Sequence, residues 1–316
     1  MTQSPPHEVL LSHPMLAPME QTLTGAGYQV HKLWDHKDRL AFLAAAGQRV
    51  RAVVHAGEFK LDPEFLAEMP RLDLIACVSV GYDGIDVPWC KARGIAVTNS
   101  AGLNADDVAD HAVGLLIAVW RGIVEGDNRV RGGQWTLTDR MRPRHSLRGK
   151  TAGIVGLGHI GEAVARRLDA FGMPIAWWGP NPKESRWRRA DSLLELAKAS
   201  DALMICTRGD AKGLISQEII EAVGPRGCII NISRGPVVDE DALIAALKDG
   251  RLGMAGLDVF AEEPTPPARW QDVPHTVLTP HTAGGTMESI PQMVGMTLEN
   301  LRRFFHGEPL ATPVAG

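Results

Sequence analysis

Short apolar runs alternate along the chain with longer stretches of mixed or helical polarity. In the first third the runs are EVLL at 8–11, YQVHKLW at 28–34, RAVVH at 51–55, LDLIACVS at 72–79 and IAVTN at 95–99. Continuous apolar runs with helix-length segments between them predict parallel strands covered on both faces by helices, an α/β block. The pattern then changes. Val108, Ala112, Val113, Leu115, Leu116, Val119 and Ile123 leave little polar surface on a helix over 104–123, which predicts a helix buried between two bodies and crossing from one block to the next. Asn104 is placed to cap it, and Asp106 and Asp107 suit its positive end. Residues 124–150, with RGGQW at 131–135, read as an excursion. Strand-like runs then resume: AGIVG at 152–156, PIAWWG at 174–179, DALMICT at 201–207, GCIINIS at 227–233, MAGLDVF at 254–260 and TVLTP at 276–280. The last stretch, MESIPQMVGMTLENLRRFF at 287–305, has helical spacing, with Pro291 near its first turn or at a kink. Because the second set of strands is complete by then, this tail is expected to return to the first domain. No internal repeat or low-complexity tract interrupts the pattern.

The run at 152–156 continues into GLGHIG and EAVARRLDAFGM, so Gly156, Gly158 and Gly161 form GxGxxG between a strand and a helix. That order gives the motif its meaning. Gly156 allows a tight turn, Gly158 lets backbone N–H groups approach a pyrophosphate, and Gly161 lets the helix lie close to the strand with its positive end at the phosphates. A glycine-rich turn with no ligand is the plain alternative. The expected fold is α/β with two doubly wound parallel-sheet domains: a Rossmann dinucleotide-binding domain over 104–284, and a smaller, discontinuous, flavodoxin-like substrate domain made of 1–103 and 285–316. Between the fourth and fifth runs, SVGYDGID at 79–86 is a glycine-containing loop at a strand's carboxyl end, where such sheets bind ligands; a plain turn is equally compatible with the spacing.

A 316-residue chain with 45% hydrophobic and 22% charged residues is of ordinary globular make-up and has room for two domains. Net charge −4 gives no electrostatic case for nucleic acid. The arginine clusters at Arg140, Arg142 and Arg144 and at Arg186, Arg188 and Arg189 read as solvated surface. No apolar run has membrane-spanning length and the N-terminus lacks a secretion pattern, so a cytoplasmic protein with no membrane partner is expected. Cys77, Cys90, Cys206 and Cys228 have no CxxC spacing and read as free thiols, and the histidines show no metal-ligand spacing, so no metal is assigned.

A carboxylate about 20 residues beyond the glycines normally takes the ribose hydroxyls of NAD. Here the second strand runs into Gly179, Pro180, Asn181, Pro182 and Lys183, without that acid. Asn181 as a donor and Lys183 or Arg186 as charge favour a 2′-phosphate, hence NADP as NADPH. Glu184, a few residues on, keeps NAD open.

The sequence resembles the D-isomer-specific 2-hydroxyacid dehydrogenases over essentially its whole length. SVGYD at 79–83, RGKTAGIVGLGHIG at 148–161, NISRGPVVDEDAL at 231–243, GLDVFAEEP at 256–264 and TPHTAGGT at 279–286 carry the resemblance, in wording nearest the glyoxylate/hydroxypyruvate reductase branch. The resemblance implies Arg234, Glu263 and His281 as catalytic residues. His281 would give the proton and Glu263 would favour its charged form, while Arg234 would hold the substrate carboxylate and polarise the carbonyl. It implies Val80 and Gly81 as backbone donors to the substrate carboxylate, beside Arg234 and His281. Towards the cofactor it implies Leu157, Gly158, His159 and Ile160 at the pyrophosphate, Thr207 on the adenosine side, Ser233 at the nicotinamide ribose and Asp258 at the carboxamide. His159 stands where many members carry arginine, which alters the phosphate contact. The resemblance also implies closure of two domains on a cleft, and a homodimer for which the excursion at 124–150, with Trp120 and Trp135, is the natural surface.

The expected activity is an NADPH-preferring reduction of a small 2-keto acid, glyoxylate or hydroxypyruvate, to the D-2-hydroxy acid. His55, Ala56 and Gly57 suit a short substrate, although a bulkier keto acid with NADH is the alternative within the family. A dinucleotide-sensing, protein-binding relative would need long interaction tails and no turnover. The short tails and the presence of Arg234, Glu263 and His281 argue against it.

Overall fold

The computed structural model describes residues 6–315. The chain divides into two compact units, Met1–Leu103 with Met287–Gly316, and Asn104–Thr286. The first holds strands β1 (Glu8–Leu11), β2 (Gln29–Lys32), β3 (Ala52–His55), β4 (Leu74–Cys77) and β5 (Ala96–Thr98). They form a sheet of order β2-β1-β3-β4-β5, parallel at every pairing. This is the flavodoxin-like order. Side chains alternate across it: Leu10, Val53 and Ile75 face one cluster, and Val9, Leu11, Val54 and Leu74 face the other. β3 and β4 are buried at every residue, which is why they read as unbroken apolar runs, whereas the edge strand β2 is exposed at Gln29 and half-buried beyond it. Helix Ser289–His306 lays Leu301, Val294 and Leu298 on the second cluster, with Pro291 in its first turn, where a missing N–H costs nothing.

The second unit holds β6 (Ala152–Val155), β7 (Ile175–Trp178), β8 (Arg188–Arg189), β9 (Ala202–Ile205), β10 (Cys228–Asn231), β11 (Met254–Leu257) and β12 (Thr276–Leu278). Their order is β12-β11-β10-β9-β6-β7-β8, again parallel throughout. Six of the seven were legible as apolar runs. The seventh, β8, is two arginines on the sheet edge, paired Ala176↔Arg188 and Trp177↔Arg189. A charged edge strand carries no hydrophobic signal because its outer side is never covered.

Helix Ala105–Arg121 opens the second unit. It packs within the second unit, in one core with Ile154, Val164, Leu168, Met204 and Ile230. Asn104 occupies the N-cap position but makes no capping bond. Its backbone (φ −114°, ψ 16°) is not extended as a cap requires, and its amide nitrogen lies against Gly284, where a Cβ would come within 2.3 Å. Gly122, at φ 63°, ends the helix, and part of the expected excursion is itself helical, Ile123–Arg131. Trp120 is 3% exposed in the same core, so it is not surface for a partner, whereas Trp135 is 68% exposed. The four cysteines are free thiols, and burial pushes Cys77 and Cys90 up to about 11 and Cys206 up to about 12. No helix of the described residues is long and apolar enough to cross a membrane.

Candidate active site

The chemistry-bearing residues of the second unit follow the carboxyl ends of successive strands. After β6 the chain turns at Gly156 (φ +92°) into helix His159–Ala170. A Cβ on Gly161 would lie 2.0 Å from the Gly156 carbonyl oxygen, and one on Gly156 would meet the Thr207 backbone at 2.8 Å. Only glycines close this turn. At Gly158 a Cβ would meet nothing within 4 Å, so the helix N-terminus, with its unpaired N–H groups, opens onto free space. That arrangement fits a dinucleotide pyrophosphate. Leu157 is buried and Ile160 packs on the same core, so these two can address a phosphate only through their backbone; His159 is exposed.

Beyond β7, Asn181, Lys183, Glu184 and Arg186 are all exposed. Lys183 pairs with Glu162 at 2.5 Å, and Arg186 with Asp169 at 2.6 Å, both partners lying on helix His159–Ala170. The cations expected at a 2′-phosphate therefore already have carboxylate partners, though exposed pairs of this kind exchange at little cost.

Arg234, Glu263 and His281 come after β10, β11 and β12. The Glu263 and His281 side chains meet, Oε2 to Nδ1 at 2.6 Å, each about one-third exposed. Glu263 also accepts the Phe260 N–H at 2.9 Å through Oε1. The Glu263 hydrogen bond is the main cause of a His281 pKa above its ordinary value; burial and the Arg234 charge oppose it without prevailing. For Glu263, burial raises the pKa, but the His281 and Phe260 hydrogen bonds and the charges of His281 and Arg234 together carry it below the usual value. The pair therefore favours imidazolium with carboxylate.

His281 sits at φ 53°, left-handed backbone that a histidine adopts only when its surroundings hold it there. The holder is Asp258, 1% exposed at the end of β11. Its carbonyl oxygen accepts the His281 N–H at 2.8 Å. Its carboxylate accepts the Thr279 hydroxyl at 2.6 Å and the N–H groups of Thr282 and Ala283, both at 2.9 Å. Thr279 donates to Asp258, so its oxygen takes the His111 Nε2–H at 2.9 Å, which fixes that tautomer. Thus Asp258, singled out for a carboxamide contact, also builds the turn that presents His281.

The loop carrying Arg234 is fastened in two ways. The Asn231 side chain, 1% exposed, donates to the Arg234 carbonyl at 3.1 Å and accepts both the N–H and the hydroxyl of Ser233. Gly235 abuts the Glu263 loop so closely that a Cβ would lie 1.8 Å from the Phe260 carbonyl. Glu240 holds the same loop from below, accepting the Ala261 N–H at 2.8 Å and pairing with Arg269. Asn231, Gly235 and Glu240 lie inside a motif legible in the sequence, but their roles need contacts between residues up to 29 positions apart. Gly235→Ala is expected to destabilise the protein by about 1–3 kcal/mol, since backbone and not a flexible side chain must move. It should also cost activity disproportionately, roughly 10²-fold for a displacement of about 1 Å; urea unfolding beside steady-state rates checks both.

Val80 and Gly81 lie in the first unit, half-buried, just beyond β4. Among the described residues no cluster of three or more metal-ligating side chains occurs.

A parallel sheet with a glycine turn at its first strand, and an arginine, a carboxylate and a carboxylate-paired histidine along its carboxyl edge, defines a nicotinamide-dinucleotide-dependent oxidoreductase. Comparison with known proteins makes this specific. Residues 113–283 match the family model of the D-isomer specific 2-hydroxyacid dehydrogenase NAD binding domain, and the chain belongs to that family. It is 40% identical over 309 residues to hydroxyphenylpyruvate reductase of Plectranthus scutellarioides, covering 97% of this chain and 98% of that one. It is 37% identical to a glyoxylate/hydroxypyruvate reductase of Arabidopsis thaliana, covering 99% and 98%. Among solved structures, an NADPH-dependent glyoxylate/hydroxypyruvate reductase of Sinorhizobium meliloti in complex with NADP and malonate is similar at TM-score 0.89 and 33% identity, over 99% of this chain and 97% of that one.

Proposed function

We propose that the chain is an NADPH-preferring reductase of small 2-keto acids, glyoxylate and hydroxypyruvate foremost, yielding D-2-hydroxy acids. The observation that carries this reading is the 2.6 Å contact between His281 Nδ1 and Glu263 Oε2 at the sheet's carboxyl edge. The reduced nicotinamide, when bound, supplies the hydride for the carbonyl carbon. His281 keeps a proton for the carbonyl oxygen: Glu263 engages Nδ1, so Nε2–H faces the substrate. Arg234 pairs its fork with the carboxylate and carbonyl of the keto acid. Val80 and Gly81 give backbone donors to the same carboxylate. Gly156, Leu157, Gly158, His159, Ile160 and Gly161 hold the pyrophosphate through the glycine turn, and Thr207, Ser233 and Asp258 line the rest of the cofactor. The second unit is thus the dinucleotide-binding domain and the first the substrate domain. NADPH is favoured by the missing acid after β7, with Asn181 and Lys183 available to a 2′-phosphate. A homodimer, with Trp135 and Leu137, 68% and 83% exposed, as part of its surface, and a cytoplasmic location complete the reading.

The 40% identity to a hydroxyphenylpyruvate reductase favours a second reading, an aryl keto acid as substrate. Initial rates of reduced-nicotinamide oxidation with glyoxylate, hydroxypyruvate and hydroxyphenylpyruvate, each with NADPH and NADH, separate the two. Fast oxidation of NADPH by the short acids supports the first reading. A preference for the aryl acid supports the second, and a preference for NADH removes the role given to Asn181 and Lys183.

Since Glu263 is the main cause of the raised His281 pKa, reduction should be fast at low pH and fall as pH rises through that pKa. Glu263→Gln removes the cause, so the fall should move to lower pH, with kcat at neutral pH reduced by roughly 10- to 100-fold. An unmoved kcat–pH profile would detach Glu263 from the proton donor.

A further inference from the structure

The loop beyond β4 is anchored by its carbonyl groups. The Ser79 carbonyl oxygen accepts the Ser100 N–H at 3.1 Å. The Val80 carbonyl accepts the side-chain amide of Asn99 at 2.7 Å. The Gly81 carbonyl accepts the Ser79 hydroxyl at 2.9 Å and the Cys77 thiol at 3.3 Å. Ser79 Oγ in turn takes the Gly57 N–H at 2.8 Å, so one hydroxyl ties the β3 loop to the β4 loop. Gly57 must be glycine, because a Cβ there would lie 2.1 Å from the Gly81 oxygen. Asn99 is 7% exposed, and its backbone is fastened in turn, N–H to the Thr312 carbonyl and carbonyl to the Thr312 hydroxyl.

A trans peptide points its C=O and its N–H in opposite directions, and the peptides of this loop are trans. Three successive carbonyls drawn towards the body of the unit therefore turn three successive N–H groups, those of Val80, Gly81 and Tyr82, the other way. Among the described residues none of the three is paired with an acceptor. Consecutive N–H groups presented on one side make a concave anion site.

We propose that Asn99 and Ser79 are positioning residues for the substrate carboxylate: by binding the Val80 and Gly81 carbonyls they aim the loop amides at the anion, and they extend its donors to include the Tyr82 N–H. This rests on the reading that the Val80–Gly81 loop receives the keto-acid carboxylate. Asn99→Asp replaces the donor by a carboxylate facing the Val80 oxygen, and Ser79→Ala removes the tie to Gly81.

The test measures steady-state kinetics with glyoxylate and calorimetric binding of oxamate to the NADPH-loaded enzyme, beside NADPH affinity and thermal unfolding. In Asn99→Asp and Ser79→Ala, KM for glyoxylate and Kd for oxamate are expected to rise together by roughly 10- to 100-fold, the worth of a charge-assisted hydrogen bond. kcat and NADPH affinity should stay within about twofold. Ser79→Thr keeps the hydroxyl and should keep the wild-type KM. Wild-type KM in Ser79→Ala, or equal KM increases in Ser79→Thr and Ser79→Ala, would overturn the proposal, as would parallel loss of kcat, NADPH affinity and thermal stability in both Asn99→Asp and Ser79→Ala. A wild-type enzyme that turns over no keto acid and binds no oxamate would instead remove the underlying reading, and the proposal with it.

Discussion

His281→Ala is expected to lower kcat for keto-acid reduction by roughly 10²- to 10⁴-fold, the range lost when a positioned proton donor is removed. The cofactor should still bind, because the glycine turn after β6 owes nothing to the imidazole. The substitution also removes a side chain from φ 53°, where alanine is no more at ease than histidine. The turn itself should survive, since Asp258 holds it through the Thr282 and Ala283 N–H groups and the Thr279 hydroxyl. Single-turnover kinetics with NADPH prebound would separate the chemical step from release. A loss smaller than about tenfold would mean that another group or water supplies the proton.

The second large effect is expected at Arg234. Arg234→Lys keeps the charge but loses the planar fork, and kcat/KM should fall by about 10²- to 10³-fold, an amount matching one or two charge-assisted hydrogen bonds. If Arg234 polarises the carbonyl as well as holding the carboxylate, kcat must fall as well as affinity. A change confined to KM would restrict it to ground-state binding. His281 offers an independent check. The Arg234 charge opposes protonation of His281, so the shortened, unforked cation should leave the pH profile close to wild type, whereas Arg234→Ala should move its fall to higher pH.

Much of this architecture was visible in the apolar runs. Parallel strands covered on both faces read as apolar runs, and the edge strands β2 and β12, though only half-buried, keep enough apolar residues, so eleven strands could be located and the fold class named; a glycine turn between strand and helix has few other uses. The missed strand, β8, is Arg188–Arg189, whose place is set by pairing with β7 and not by burial. The helix expected over 104–123 stands at Ala105–Arg121. An apolar face records that something covers it without recording what, and the cover is the second unit's own sheet and the helix His159–Ala170. Trp120 illustrates the same limit: an aromatic next to an excursion is equally consistent with surface or core, and it is core.

By itself the sequence determined the residue types available for chemistry, the order in which they follow successive strands, and the glycines without which the cofactor turn cannot close. The tertiary structure alone decided how those residues are held. Glu263 meets His281 across 18 positions, and Asp258 fixes the His281 turn by hydrogen bonds to residues 279–283. Lys183 and Arg186 turn to carboxylates on a neighbouring helix. The reason is physical. Burial patterns and turn requirements are local and leave a period or a glycine in the sequence, whereas a hydrogen bond between side chains on different strands depends on where two loops come to rest after the sheet has formed.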